Sequence, residues 1–163
     1  MISKLVAFLL FSALLAQANA DVTGRVKRVV DGDTIILQEV SGKTVRIRLL
    51  GIDAPESGQP YGDDSSATLA SYIEGKMVYV ASRKKDRYQR LLGKVIMNKQ
   101  DINYLLVKKG HAWHYKRYSG DQDVGDAQQY ADAESEAKQS QLGIWKALAP
   151  IPPWEWRRKT LNK

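Results

Sequence analysis

The 163-residue chain contains no cysteine. That excludes a disulfide framework, a thiolate metal site, a cysteine nucleophile and lipid attachment at cysteine. Histidine is scarce as well: only His111 and His114. A catalytic zinc takes three protein ligands, and no third ligand is evident, so both read as surface or structural residues. There is no internal repeat and no low-complexity segment. A hydrophobic fraction of 44% and a charged fraction of 26% exclude wholesale disorder. The length accommodates one domain. Acidic residues are the minority charge, 18 against 25 Lys plus Arg, for a net charge of +7. Such a surface attracts polyanions, nucleic acid or anionic membrane, and says nothing about chemistry.

Long apolar runs are confined to the first twenty residues. Lys4 gives a positive start, Leu5 to Ala16 is apolar apart from Ser12, and Ala18-Asn19-Ala20 offers small residues at the two positions a signal peptidase reads. The run is short for a span of about 20 apolar residues. Cleavage is expected after Ala20, leaving a secreted chain of net charge +6, extracellular or periplasmic, without stable membrane insertion. The leader removes one Lys and no acidic residue.

The mature chain opens as β-structure. Val22 to Val30, Thr34 to Leu37 and Lys43 to Leu49 read as strands separated by the turns Asp31-Gly32-Asp33 and Ser41-Gly42; Val45, Ile47 and Leu49 alternate with Arg46 and Arg48. Asp53 to Tyr61, with Pro55, Gly58 and Pro60, is a loop. A helix is expected over Asp64–Glu74, strands over Met77–Ala81 and Gly93–Met97, and a helix capped by Asp101 and ended by Gly110. Gln122–Gln139 is the longest helix candidate. Residues 149–163, with Pro152, Pro153, Trp154 and Trp156, read as a loosely held basic tail. Five short strands with helices inserted and appended predict an α+β fold, a five-stranded OB-type β-barrel with three helices.

Asp31, Asp33, Asp53 and Glu56 fall at strand ends that can meet. Carboxylates gathered at one spot repel, and a hard divalent cation is the usual remedy. Asp31 and Asp33 can equally be shaping a turn. Arg48 lies five residues before Asp53, and Arg90 closes Asp86-Arg87-Tyr88-Gln89-Arg90. Arginine pairs bidentately with phosphate, although an isolated arginine more often forms a surface ion pair. A cation, a free carboxylate and two arginines together suit phosphodiester hydrolysis.

At these residues the sequence closely resembles the thermonuclease family, the staphylococcal nuclease-like nucleases. The resemblance is carried by Val29-Val30-Asp31-Gly32-Asp33-Thr34, by Ile47-Arg48-Leu49-Leu50-Gly51-Ile52-Asp53-Ala54-Pro55-Glu56, by Gln59-Pro60-Tyr61-Gly62 and by Asp86 to Arg90. Leu106 to Trp113 and Gly143-Ile144-Trp145 extend it over Val22 to Trp145. It implies an OB-type barrel with three helices and a nuclease domain over residues 21–148. It also implies a Ca²⁺ site with Asp33 and Asp53 as carboxylate ligands and Ala54 lending its carbonyl, Glu56 as general base, and Arg48 and Arg90 as catalytic arginines. The family hydrolyses DNA and RNA and leaves 3′-phosphates. Ala54 stands where the best-known member has Thr, and Gln89 and Leu91 stand where it has glycines.

Five basic residues and Tyr88 lie between Arg83 and Arg90, and Trp113 to Tyr118 interleaves aromatics with charge. Aromatics stack on bases while basic groups track phosphates. Arg87, Tyr88 and Tyr115 are therefore candidate substrate contacts, and Trp113 a core residue. The expected protein is a monomeric, secreted, Ca²⁺-dependent endonuclease without sugar specificity. The alternatives are a non-catalytic nucleic-acid or protein-binding module on the same barrel, which should have lost some of the five catalytic and metal side chains, and an adhesive envelope protein, which leaves the acidic cluster unexplained.

Overall fold

In the computed structural model, residues 21–161 are described; the expected leader, residues 1–20, lies outside them. Strands β1 (Val22–Asp31), β2 (Thr34–Glu39) and β3 (Thr44–Leu49) form an antiparallel meander. β4 (Ile52–Asp53) follows, then helix α1 (Gly62–Ile73). β5 (Met77–Lys85) pairs with β1 and with β6 (Leu91–Met97). β6 then runs parallel to β3, matching Ile47 with Leu91, Arg48 with Leu92 and Leu49 with Gly93. That short ladder closes five strands into a barrel and removes their exposed edges.

The barrel interior holds Val26, Ile35, Leu37, Ile47, Leu49, Val80 and Val95, all at most 1% exposed. Their alternation with polar neighbours is the period-2 pattern of a half-buried strand. β7 (Gln100–Asp101) leads into α2 (Ile102–Lys108), where the Asp101 carboxylate accepts from the Tyr104 N–H at 3.0 Å, a side-chain N-cap. β8 (Trp113–His114) pairs with β4. A 3-10 segment (Lys116–Asp121), α3 (Val124–Gln139), a second 3-10 turn (Gly143–Lys146) and α4 (Pro153–Leu161) complete the chain. Among the described residues no helix is long and apolar enough to cross a membrane.

Two expectations are corrected. The strand expected to end at Ala81 is longer: β5 continues past a bulge near Ser82 to Lys85, pairing Lys84 with Leu92 and Lys85 with Leu91. The tail expected to be loosely held contains a fourth helix. Pro153 begins it, where a missing N–H costs nothing, and the Pro152 carbonyl accepts from the N–H groups of Glu155 and Trp156 at 3.0 Å each. Pro153 is buried, and Trp154 stacks on Tyr115.

Candidate active site

Three segments meet at the mouth of the barrel. The first is the β1–β2 turn. Asp31 Oδ1 accepts from the Asp33 N–H at 3.1 Å, which makes Asp31 a turn-shaping residue. A Cβ on Gly32 would fall 2.6 Å from the Ala54 Cβ, so only glycine lets this turn lie against the third segment. The second is the end of β3, which carries Arg48. The third runs from Leu50 to Glu56. Gly51, at φ +77°, makes the sharp bend that returns the chain across the barrel end. Buried Asn103 of α2 fixes that bend: its amide donates to the carbonyls of Leu50 at 2.9 Å and Gly93 at 3.1 Å and accepts from the Val95 N–H at 3.1 Å. Pairing of Asp53 with Trp113 in the β4–β8 ladder holds the next residues.

These supports bring Asp33 and Asp53 onto one guanidinium. Arg48 Nη2 lies 3.0 Å from Asp33 Oδ2 and 2.8 Å from Asp53 Oδ1, while Nη1 donates to the carbonyls of Ile52 at 2.8 Å and Leu49 at 3.0 Å. Asp33 Oδ2 also accepts from the Ala54 N–H at 2.7 Å. Both carboxylates are buried, Asp53 at 1% exposure. Burial holds the Asp33 carboxyl well above the ordinary carboxylate range in spite of Arg48, with Asp31 and Asp53 adding repulsion. The two buried carboxylates that Arg48 bridges supply oxygen donors of the kind a hard divalent cation takes. Among the described residues no three His, Asp or Glu side chains are drawn together as a metal cage. The two aspartates would be the carboxylate donors to such an ion, with carbonyl oxygen and water completing its shell.

Glu56 stands at the rim, its side chain 36% exposed. Its N–H donates to Gln59 Oε1 at 3.0 Å. Arg90 is not in contact with the carboxylate cluster. Its Nε and Nη2 each lie 2.7 Å from Asp86 Oδ2, and its guanidinium sits 5.4 Å from the Tyr88 ring centroid. Asp86 Oδ1 also accepts from the N–H groups of Tyr88 at 2.8 Å and Arg90 at 3.0 Å, so one carboxylate organises the whole loop. Burial opposes the charge on Asp86, but these donors outweigh it and lower its pKa. Gln89 adopts φ +62°. Arg87 lies over the same Tyr88 ring at 4.8 Å, and that ring is exposed.

Part of the basic stretch is paired: Lys84 with Asp121 at 2.7 Å, and Arg83 with Asp123. Trp113 is buried, edge-on to Trp145. Tyr115 stacks on Trp154, with ring centroids 5.3 Å apart and planes 11° off parallel. His111 and His114 are set into the structure separately, His111 Nδ1 3.3 Å from Asp64 and His114 Nε2 3.0 Å from the Gln122 amide oxygen.

Sequence reasoning missed two residues here. Asp86 stands out in the sequence only as the first residue of the loop motif. Arg157 of α4 is the other: its guanidinium reaches Asp53 Oδ2 at 2.8 Å and Asp53 Oδ1 at 3.2 Å, and also contacts Glu56. Its signal lay in two Trp and an Arg-Arg pair in a proline-led tail, a pattern with no spacing relation to residues 33–56.

The closed OB-type barrel carries convergent aspartates and an arginine at its mouth and a basic aromatic loop beside them, a constellation suited to phosphate esters. Residues 46–147 match the family model described as "Staphylococcal nuclease homologue". An "Uncharacterized endonuclease" of Escherichia coli O157:H7 is 43% identical over 141 residues, covering 86% of this chain and 88% of that one. An "Uncharacterized endonuclease" of Haemophilus influenzae is 40% identical over 151 residues, covering 93% and 82%. A "Micrococcal nuclease" of Shigella flexneri is 40% identical over 154 residues, covering 89% and 86%. The chain belongs to the staphylococcal nuclease homologues and is a nuclease, a hydrolase of nucleic acids.

Proposed function

We propose that the protein is a secreted, Ca²⁺-dependent endonuclease that cuts DNA and RNA without sugar specificity and leaves 3′-phosphates. The observation that carries this reading is the convergence of Asp33 and Asp53 on Arg48, with Glu56 at the open rim beside them. Asp33 and Asp53, with the Ala54 carbonyl, would hold Ca²⁺, which would supply positive charge against the scissile phosphate. Glu56 takes a proton from the attacking water. The water oxygen bonds to phosphorus, the bond from phosphorus to the 5′-oxygen breaks, and the departing oxygen takes a proton from solvent. Arg48 and Arg90 donate hydrogen bonds to the phosphoryl oxygens as charge grows on them. Arg87, Tyr88 and Tyr115 contact the strand, the arginine through phosphate and the rings through bases. Nothing in this contact set reads a base edge or requires a 2′-hydroxyl, which supports action on both nucleic acids.

The mature enzyme begins at Asp21, is exported and acts as a monomer. Digestion of single-stranded DNA and of RNA, with Ca²⁺ and then with excess chelator, tests the activity, and end-group analysis tests the product. Cleavage of both substrates with Ca²⁺, none in chelator and 3′-phosphate ends are expected. Full activity in chelator overturns the cation assignment. N-terminal sequencing of exported protein should return Asp21, and material beginning at Met1 contradicts export by cleavage.

A further inference from the structure

We infer that α4 is a latch on the active site, with Arg157 holding the carboxylates in the place a divalent cation would take, so that cation binding and α4 docking oppose each other. The inference rests on the cation reading above. Arg157 donates to both oxygens of Asp53 and also contacts Glu56, thereby engaging one of the cation's carboxylate ligands and the general base at once.

Like charge sets the two against each other: a guanidinium and a divalent cation held against the same carboxylate repel at contact distance, most strongly where that carboxylate is buried, as Asp53 is. The guanidinium also uses the Asp53 oxygens that a cation needs as ligands.

The helix is held where it can do this and where it can let go. Gln59, which accepts from the Glu56 N–H, donates through its Nε2 to the Ile151 carbonyl at 2.6 Å, tying the tail to the same loop that carries Glu56. Trp154 lies flat on Tyr115, as a nucleobase would on that ring. Yet no residue of α4 belongs to the barrel core, Pro153 is its only buried residue, and Arg158, Lys159 and Thr160 are exposed. The docked helix thus covers both the carboxylates and a base-stacking ring, and its release exposes both without disturbing the barrel.

The test is calorimetric titration of Ca²⁺ into the mature protein and into Arg157→Ala and Arg157→Lys, with hydrogen exchange across residues 149–161 before and after Ca²⁺. Arg157 is half-buried and no residue of its helix belongs to the barrel core, so all three proteins should fold. Ca²⁺ should bind Arg157→Ala at least fivefold more tightly than the wild type. Arg157→Lys should fall between them, since an ammonium cannot fork across two carboxylates. Ca²⁺ should also deprotect α4 in the wild type. Equal or weaker binding by Arg157→Ala, or unchanged protection of α4, overturns the latch while leaving the cation site standing. Absence of Ca²⁺ binding in all three overturns the cation site and the latch with it.

Discussion

Arg90 shows how much a single neighbour can matter. Its guanidinium is aimed by Asp86, which also accepts from two backbone N–H groups of the same loop. Asp86→Ala should therefore lower kcat about tenfold to a hundredfold, on the scale that about 1 Å of misplacement costs, with KM changing less. Steady-state kinetics checks this, and an unchanged kcat would show that the loop holds Arg90 without it. His114 supports a different prediction. Burial lowers its pKa, and Gln122 and Glu134 only partly oppose this. The unfolded chain then takes up a proton here at a higher pH than the folded chain does. The contribution of neutral His114 to stability is complete above about pH 6.5 and is lost as pH falls toward the folded value. In His114→Gln the deficit in unfolding free energy relative to wild type should shrink between pH 7 and pH 5. Titrating groups that do not act on His114 affect both proteins alike and cancel in that difference; a constant deficit contradicts the assignment. A role that follows from local spacing, such as Asp101 as a cap, was legible in the sequence. Asp31 and Asp33 were legible only as an even choice, because turn chemistry and metal chemistry use the same side chain.

Among the elements, α2 does more for the site than its position in the chain announces. Asn103 satisfies three backbone groups, two of them in the barrel wall and one in the bend that delivers Asp53. The Gly93 carbonyl also accepts from the Leu50 N–H, so Asn103→Ala leaves two buried groups unpaired at about 1–3 kcal/mol each and should destabilise the fold by about 2 kcal/mol or more. Urea unfolding measures this, and a loss below about 1 kcal/mol would mean that the bend stands without the amide. The strands were readable from their period-2 alternation, and α1, α2 and α3 from caps and apolar spacing. β5 was read short because Arg83-Lys84-Lys85 carries no apolar alternation; its pairing with β6 is made by backbone groups, to which hydropathy is blind. α4 was misread because Pro152 and Pro153 look like a break, when a proline at the first helical position instead starts the helix. Its anchor on Asp53 spans 104 residues of sequence, beyond any local pattern.

At the scale of the whole molecule, the excess of Lys and Arg over acidic residues is a docking field for a polyanion. Binding to single-stranded DNA should weaken linearly in log–log salt plots by about 0.7 per phosphate neutralised. Because Arg83 and Lys84 are already paired with Asp123 and Asp121, the total slope should stay below that expected if every basic residue of the loop met a phosphate. A salt-independent affinity would remove the basic surface from the account. The barrel was legible as a class from five short strands, but its closure by the parallel β3–β6 ladder was not, since pairing between distant strands leaves no mark in either one. That closure sets Arg48 beside the β6 wall and, with the Gly51 bend, gathers two aspartates and a rim glutamate at one end. The account depends above all on Glu56 taking the proton in the chemical step. The most direct test is kcat for Glu56→Gln at saturating Ca²⁺ and substrate, with the thermal midpoint measured alongside. A fall of about a hundredfold or more with the midpoint nearly unchanged is expected, as for loss of a general base; a near-normal kcat would contradict the assignment and move the proton transfer to another group.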